Sequence, residues 1–221
     1  MKNIIYNKSK FIILEGLDGS GKTHACQLIK KILEKYKIPH IVIREPGGTP
    51  LAEKIRNLIK NFYTYEIINQ KTILLLVYAS RMQLIQNIIA PALKNNIWVI
   101  SDRYELSSFA YQGGGFKIKK ELIIFLKKII VKSYLPDLTI YLDIIPKYAL
   151  HRMIKRGKLD TIENNNINFF QRTRNTYLHL ISKNKNSLTI NANLKIDIVH
   201  QDIKNKLKKW LRTCKIYGTR G

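Results

Sequence analysis

The stretch Gly16 to Thr23 reads GLDGSGKT, and its residue types share one chemistry, the holding of phosphate. Gly16, Gly21, Lys22 and Thr23 fall on the spacing G-x-x-x-x-G-K-[ST]. Gly16, Gly19 and Gly21 allow the backbone to approach an anion and turn its N–H groups inward. A helix following the loop aims its positive end at the same point. Lys22 has the reach for the β- and γ-phosphates, and the Thr23 hydroxyl suits Mg2+. The candidate nucleotide-binding set is therefore Gly16, Leu17, Asp18, Gly19, Ser20, Gly21, Lys22 and Thr23. Such a loop holds a nucleoside triphosphate without saying what receives the phosphate. It also leaves Asp18, a carboxylate amid anion-binding groups, without a purpose.

Several classes that share this loop are disfavoured. A GTPase reads its base through Asn-Lys-x-Asp, and the nearest candidate, Asn184-Lys185-Asn186-Ser187, lacks the aspartate. A motor or transporter ATPase usually needs a larger chain and an acidic end to a central strand. In this chain that strand ends in Asp102-Arg103, which brings an arginine beside the loop and favours an anionic acceptor. Four more segments belong to the acceptor side: REPGGT (Arg44 to Thr49, followed by Glu53 and Arg56), YASRMQ (Tyr78 to Gln83), SDRYELSSFAYQGGG (Ser101 to Gly115) and HRMIKRGKLDTIE (His151 to Glu163). All lie near strand ends or in connections, where open α/β sheets bind ligands.

In this order and spacing, EGLDGSGKT, REPGGT, DRY, AYQGGG and RG.LD.IE resemble the bacterial thymidylate kinase family. The resemblance runs from about residue 10 to the last helix, and REPGGT combined with DRY…AYQGGG carries most of its specificity. It implies a P-loop NTPase fold, ATP as donor, Mg2+ as cofactor, dTMP as acceptor and a homodimer. It also implies roles. Arg103 resembles the arginine that contacts phosphate between donor and acceptor, with Asp102 beside it near the metal held by Thr23. Arg81 resembles the arginine bonded to a thymine carbonyl, and Ser108 takes a polar place facing the base, with Gln112 nearby. Tyr111 resembles the tyrosine that crowds the sugar 2′ position. Arg56 is a candidate for the dTMP phosphate, and Glu45-Pro46 for an X-Pro step shaping the pocket. Asp18 falls where the family carboxylate accepts from the 3′-hydroxyl. With Lys22, Asp102 and Arg103, Arg152 and Arg156 of a closing segment complete the catalytic set. Another nucleoside monophosphate kinase or a deoxynucleoside kinase is the alternative.

Two departures from the pattern bear on performance. Val77 stands where many relatives have a base-stacking phenylalanine. Ile154 and Thr161 stand where relatives often carry arginine, leaving Arg152 and Arg156, with Lys155 or Lys158 as point charges rather than forks. The five histidines show no ligand spacing and read as structural or exposed, His24, just after Thr23, being the one whose position offers nucleotide contact as an alternative.

The elements that must position these groups alternate. Apolar runs at Lys10 to Glu15, His40 to Glu45, Ile97 to Arg103, Leu138 to Ile144 and Ser187 to Ala192 read as buried strands. Helical periodicity covers the stretch after the loop, 51–62, about 71–93 with an end near Pro91, 121–132, about 168–182 and 196–211; Gly113 to Gly115 reads as a turn. This is an α/β pattern: a five-stranded parallel sheet flanked by helices on both faces, one domain over 1–221 with a lid at about 151–163. Net charge is +24, but the lysines are spread among Asn, Ile and Tyr along the chain, residues that share A/T-rich codons. No specific nucleic-acid surface is expected. Neither a membrane-span-length run nor a signal peptide is read, and Cys26 and Cys214 lack pairing or metal spacing, so a reducing, cytoplasmic setting is expected.

Overall fold

The computed structural model describes residues 5–6, 8–61 and 68–216. The elements run β1 (Ile5–Tyr6), β2 (Phe11–Glu15), α1 (Lys22–Lys35), β3 (His40–Arg44), α2 (Pro50–Asn61), α3 (Gln70–Leu84), a π-helical turn (Ile85–Ile89), α4 (Ala90–Lys94) and β4 (Trp98–Asp102). Then come α5 (Glu105–Ser108), a second π-helical segment (Phe109–Gly115), α6 (Lys120–Ile130), β5 (Leu138–Asp143), α7 (Pro146–Arg156), α8 (Ile167–Ser182), β6 (Ser187–Asn191), α9 (Ile196–Thr213) and β7 (Lys215–Ile216).

Five strands form one parallel sheet in the order β3-β4-β2-β5-β6, as the alternation required. The chain leaves β2 toward β3 on one side and later adds β5 on the other. The carboxyl end of β2 is therefore the switch point where such sheets open a crevice. All five residues of β2 are buried, because both faces are covered. Ile12 and Leu14 join the cluster containing Ile29, Phe170 and Leu207, while Phe11 and Ile13 join the one containing Leu84, Ile89 and Val99. Each such side chain truncated to alanine costs about 2–5 kcal/mol. The antiparallel pair β1–β7 had no counterpart in the sequence reading.

Two local expectations are corrected. Helix does not end near Pro91 but continues to Lys94. Proline lacks a donor and clashes with the carbonyl four residues back; the π turn just before α4 widens the ladder, and Pro91 falls in the first turn of α4. Gly113 to Gly115 is not a turn but the end of the second π-helical segment. Its glycines answer to close packing rather than to a special φ. A Cβ on Gly114 would lie 2.1 Å from Thr176 Oγ1, and one on Gly115 would lie 2.4 Å from the Phe169 ring, both on α8. Phe62, the last residue of the helix expected over 51–62, lies outside the described residues. The run Gln70–Lys94 is long and apolar enough to cross a membrane by length and composition, with half of its most apolar window buried inside the fold.

Gly115→Ala is expected to destabilise by about 1–3 kcal/mol through overpacking against Phe169. Gly113→Ala, whose nearest neighbour would be the movable Ile123 Cδ1 at 3.2 Å, is expected to cost less. Urea unfolding of the two variants checks the order.

Candidate active site

The carboxyl ends of β2, β3 and β4 open into one cleft of about 990 Å3. At its donor end lies the glycine-rich loop. Gly19 has φ +76°, and a Cβ there would lie 2.6 Å from the Ala149 carbonyl oxygen, so glycine is required both by conformation and by the approach of α7. Asp18 to Thr23 line the cleft, whereas Leu17 is fully buried in the core. Lys22 is folded over the loop, its Nζ donating to the carbonyls of Gly16 (3.1 Å) and Leu17 (2.9 Å). Burial, and Arg103 beside it, lower its pKa. Thr23 Oγ1 donates to Asp102 Oδ2 at 3.3 Å. That hydroxyl–carboxylate pair beside the loop is a hard oxygen donor set suited to Mg2+, which binds through one or two protein oxygens plus phosphate.

In the middle of the cleft stands Arg103, with φ 73°, in the left-handed region. Its Nη2 donates to Asp18 Oδ1 (2.6 Å) and to the Tyr111 hydroxyl (3.1 Å), and its Nη1 to the Gly16 carbonyl (3.1 Å). Tyr111 in turn donates to Asp18 Oδ2 (2.8 Å) and accepts from the Asp18 N–H (3.1 Å). Its ring lies 4.8 Å below the guanidinium. Burial pushes the Asp18 carboxyl up, but Arg103 and Lys22 outweigh it and hold the group well below the ordinary range.

The other end of the cleft is built from side chains. Arg81 on α3 is almost wholly buried (1% exposed), with Nε on Glu45 Oε2 (2.8 Å), Nη1 on Ser108 Oγ (3.0 Å) and Nη2 on the Tyr104 carbonyl (3.0 Å). It lies over the rings of Tyr78 and Tyr104. Burial pushes Glu45 up to about 7, with Arg81 opposing. The Glu45–Pro46 bond is cis. Arg56 Nη1 donates to the Pro46 carbonyl (2.8 Å), while Glu53 holds the Gly48 N–H (2.8 Å) and pairs with Arg44 (2.9 Å). Val77 belongs to an aliphatic cluster with Ile55, Ile59 and Ile73, and it lines the cleft together with Gln112.

The segment 151–163 leans over the opening. Arg152 Nη1 donates to the Gly19 carbonyl at 3.3 Å. Arg156 forms an ion pair with the buried Glu163, which also accepts the Asp160 N–H at 3.1 Å. Lys60 pairs with Asp160 Oδ2 (3.1 Å), and Thr161 Oγ1 donates to the Lys60 carbonyl (3.0 Å). Ile154 is 63% exposed. The candidate catalytic and binding residues singled out from the sequence, except Gly16 and Leu17, thus line one cleft, and Gly16 reaches it through its carbonyl, whereas Glu53, Ile154, Lys155 and Thr161 do not line it. Arg44 and Glu163 fell within segments singled out from the sequence but were given no role there, and the wall after β6, formed by Leu194, Lys195, Val199 and His200, was missed. Only the general rule that ligands sit at strand ends pointed to that wall. His24 lines the same region.

A parallel α/β sheet with a phosphate loop at the end of its central strand, facing a pocket walled by buried arginines, defines a P-loop phosphotransferase. The sequence matches the family described as thymidylate kinase over residues 14–203. It is 53% identical over 206 residues to thymidylate kinase of Buchnera aphidicola subsp. Schizaphis graminum (93% of this chain, 97% of the relative). The figure is 44% for that of Wigglesworthia glossinidia brevipalpis, over 93% and 98%. The crystal structure of thymidylate kinase from Ehrlichia chaffeensis superposes with a TM-score of 0.74 at 30% identity, covering 91% of this chain and 99% of that one. The chain belongs to the thymidylate kinase family.

Because the folded-state pKa of Glu45 lies above its ordinary 4.5, its contribution to stability is full below that value and declines as pH rises through about 7. Glu45→Gln is expected to flatten this part of the curve, seen as urea midpoints at about pH 5 and about pH 8 lying closer together than in the wild type.

Proposed function

We propose that the cleft transfers the γ-phosphoryl group of ATP to dTMP, giving dTDP and ADP. The observation that carries this reading is the placement of Arg103, bonded to Asp18 of the phosphate loop and to Tyr111, between that loop and the Arg81 pocket. The loop backbone and Lys22 cradle the donor phosphates, and Thr23 with Asp102 would hold Mg2+, which would supply positive charge against the donor phosphates. Arg103 spreads the charge of the group in flight, and Arg56 holds the acceptor phosphate. Arg81, Ser108 and Gln112 read the base against Val77. Tyr111, fixed by two bonds to Asp18 and one to Arg103, blocks a 2′-hydroxyl. The acceptor phosphate is already ionised, so alignment and charge are the main demands and no covalent intermediate is required.

A deoxynucleoside acceptor would need a carboxylate base near its 5′-hydroxyl. Asp18 is held ionised far below the ordinary range and is already bonded to Arg103 and Tyr111, so it makes a poor base. The segment 151–163 acts as a lid that brings Arg152 and Arg156 over the phosphates and excludes water. Leu75 (54% exposed) and Met82 (52% exposed), seven residues apart on one face of α3, support a homodimer. The unpaired Cys26 and Cys214 suit a reducing, cytoplasmic setting.

Purified protein assayed against dTMP, dUMP, dGMP, AMP and thymidine is expected to prefer dTMP; preference for any other acceptor refutes the reading. Asp18→Ala is expected to raise KM for dTMP by about tenfold or more, the scale of one lost charge-assisted hydrogen bond, and KM for ATP much less. Ile154→Arg and Thr161→Arg test whether the lid limits turnover: at least one is expected to raise kcat, and no gain from either removes the lid as the limitation.

A further inference from the structure

Glu15, the last residue of β2, has no exposed surface, and the phosphate transfer described above does not use it. Both its oxygens are fully engaged. Oε1 accepts the N–H groups of Tyr104 (2.9 Å) and Ser107 (3.3 Å). Oε2 accepts from Ser107 Oγ (2.6 Å) and the Tyr177 hydroxyl (2.9 Å). These donors come from two other places: the turn and short helix after β4, and helix α8.

The donors lead to one group. The Ser107 and Tyr177 hydroxyls lie 2.8 Å apart, and both accept from Arg103 Nη1, at 3.1 and 3.4 Å. The Arg103 backbone N–H is itself bonded to the Leu14 carbonyl at 2.9 Å, so the residue is anchored to the end of the strand that carries Glu15. A carboxylate buried at this depth costs several kcal/mol unless its lone pairs are filled and a positive charge stands near. The other four residues of β2 are apolar and equally buried, so packing alone does not call for an acid. An acid does explain how two hydroxyls keep their oxygens turned toward Arg103: their protons are drawn to Glu15, which leaves their lone pairs for the guanidinium.

We propose that Glu15 is a positioning residue for phosphate transfer, holding the Arg103 guanidinium against Asp18 and the Gly16 carbonyl of the phosphate loop through Ser107 and Tyr177. This rests on the reading of Arg103 as the phosphate-facing arginine, and the test separates the two. Glu15→Gln keeps the shape but replaces one acceptor oxygen by an N–H donor. It is expected to lower kcat by about 10–100-fold, the scale of a displacement of about 1 Å at a reacting centre, with KM for ATP little changed. Arg103→Ala is measured alone and combined with Glu15→Gln. If Glu15 acts through Arg103, the double variant is no slower than Arg103→Ala within about twofold. Losses that multiply, or a wild-type kcat in Glu15→Gln where Arg103→Ala is impaired, overturn the proposal. A wild-type kcat in Arg103→Ala overturns the reading of Arg103 beneath it. Should Glu15→Gln not fold, Tyr177→Phe goes through the same cycle. It removes one hydroxyl of the pair and is expected to lower kcat severalfold in wild type and not in the Arg103→Ala background; an unchanged kcat in wild type overturns the proposal.

Discussion

Arg103 places a permanent positive charge in a partly buried position, its side chain 13% exposed, just past the carboxyl end of β4 and with a left-handed backbone. Such a charge has to be answered on every side, and the groups that answer it come from each part of the cleft. Asp18 and the Gly16 carbonyl belong to the phosphate loop, Tyr111 to the acceptor wall, Ser107 to the turn after β4 and Tyr177 to α8. One guanidinium thereby ties the donor loop to the acceptor pocket. It also explains the acid in the anion-binding loop: Asp18 is the counter-charge of Arg103, and its low pKa reflects that pairing.

Around this centre the two ends of the cleft use different means. The donor end relies on backbone, because phosphate is recognised by N–H groups and a helix terminus, which need glycine and little else. The acceptor end relies on buried side chains. Arg81 is fixed by a carboxylate, a hydroxyl and a carbonyl, and its guanidinium lies over the rings of Tyr78 and Tyr104. Dipoles and charges set in advance in this way lose no reorganisation energy during reaction. In the segment 151–163, Thr161 fastens the chain to the end of α2 through the Lys60 carbonyl.

Much of this was legible in the residues. The five parallel strands announce themselves as apolar runs because both faces of the sheet are covered. The cleft residues from Asp18 to Arg156 were named because short motifs at strand ends carry side chains whose chemistry is specific. The misreadings have a common origin. Gly113 to Gly115 looked like a turn because glycine is read as conformational freedom, whereas Gly114 and Gly115 serve the close approach of α8. Pro91 looked like a helix end because the π turn that accommodates it leaves no mark in composition. The wall after β6 carries no motif at all.

The sequence by itself determined the phosphate loop, the alternation of strands and helices, and the family, since these depend on residues close together in the chain. Tertiary structure alone decided which groups meet across it. Glu15 and Tyr177 are 162 positions apart and Asp18 and Arg103 are 85 apart, yet both pairs are within hydrogen-bond distance. The reason is physical: a buried charge selects its partners by distance after the sheet has closed, and that distance is set by strand order rather than by position along the chain.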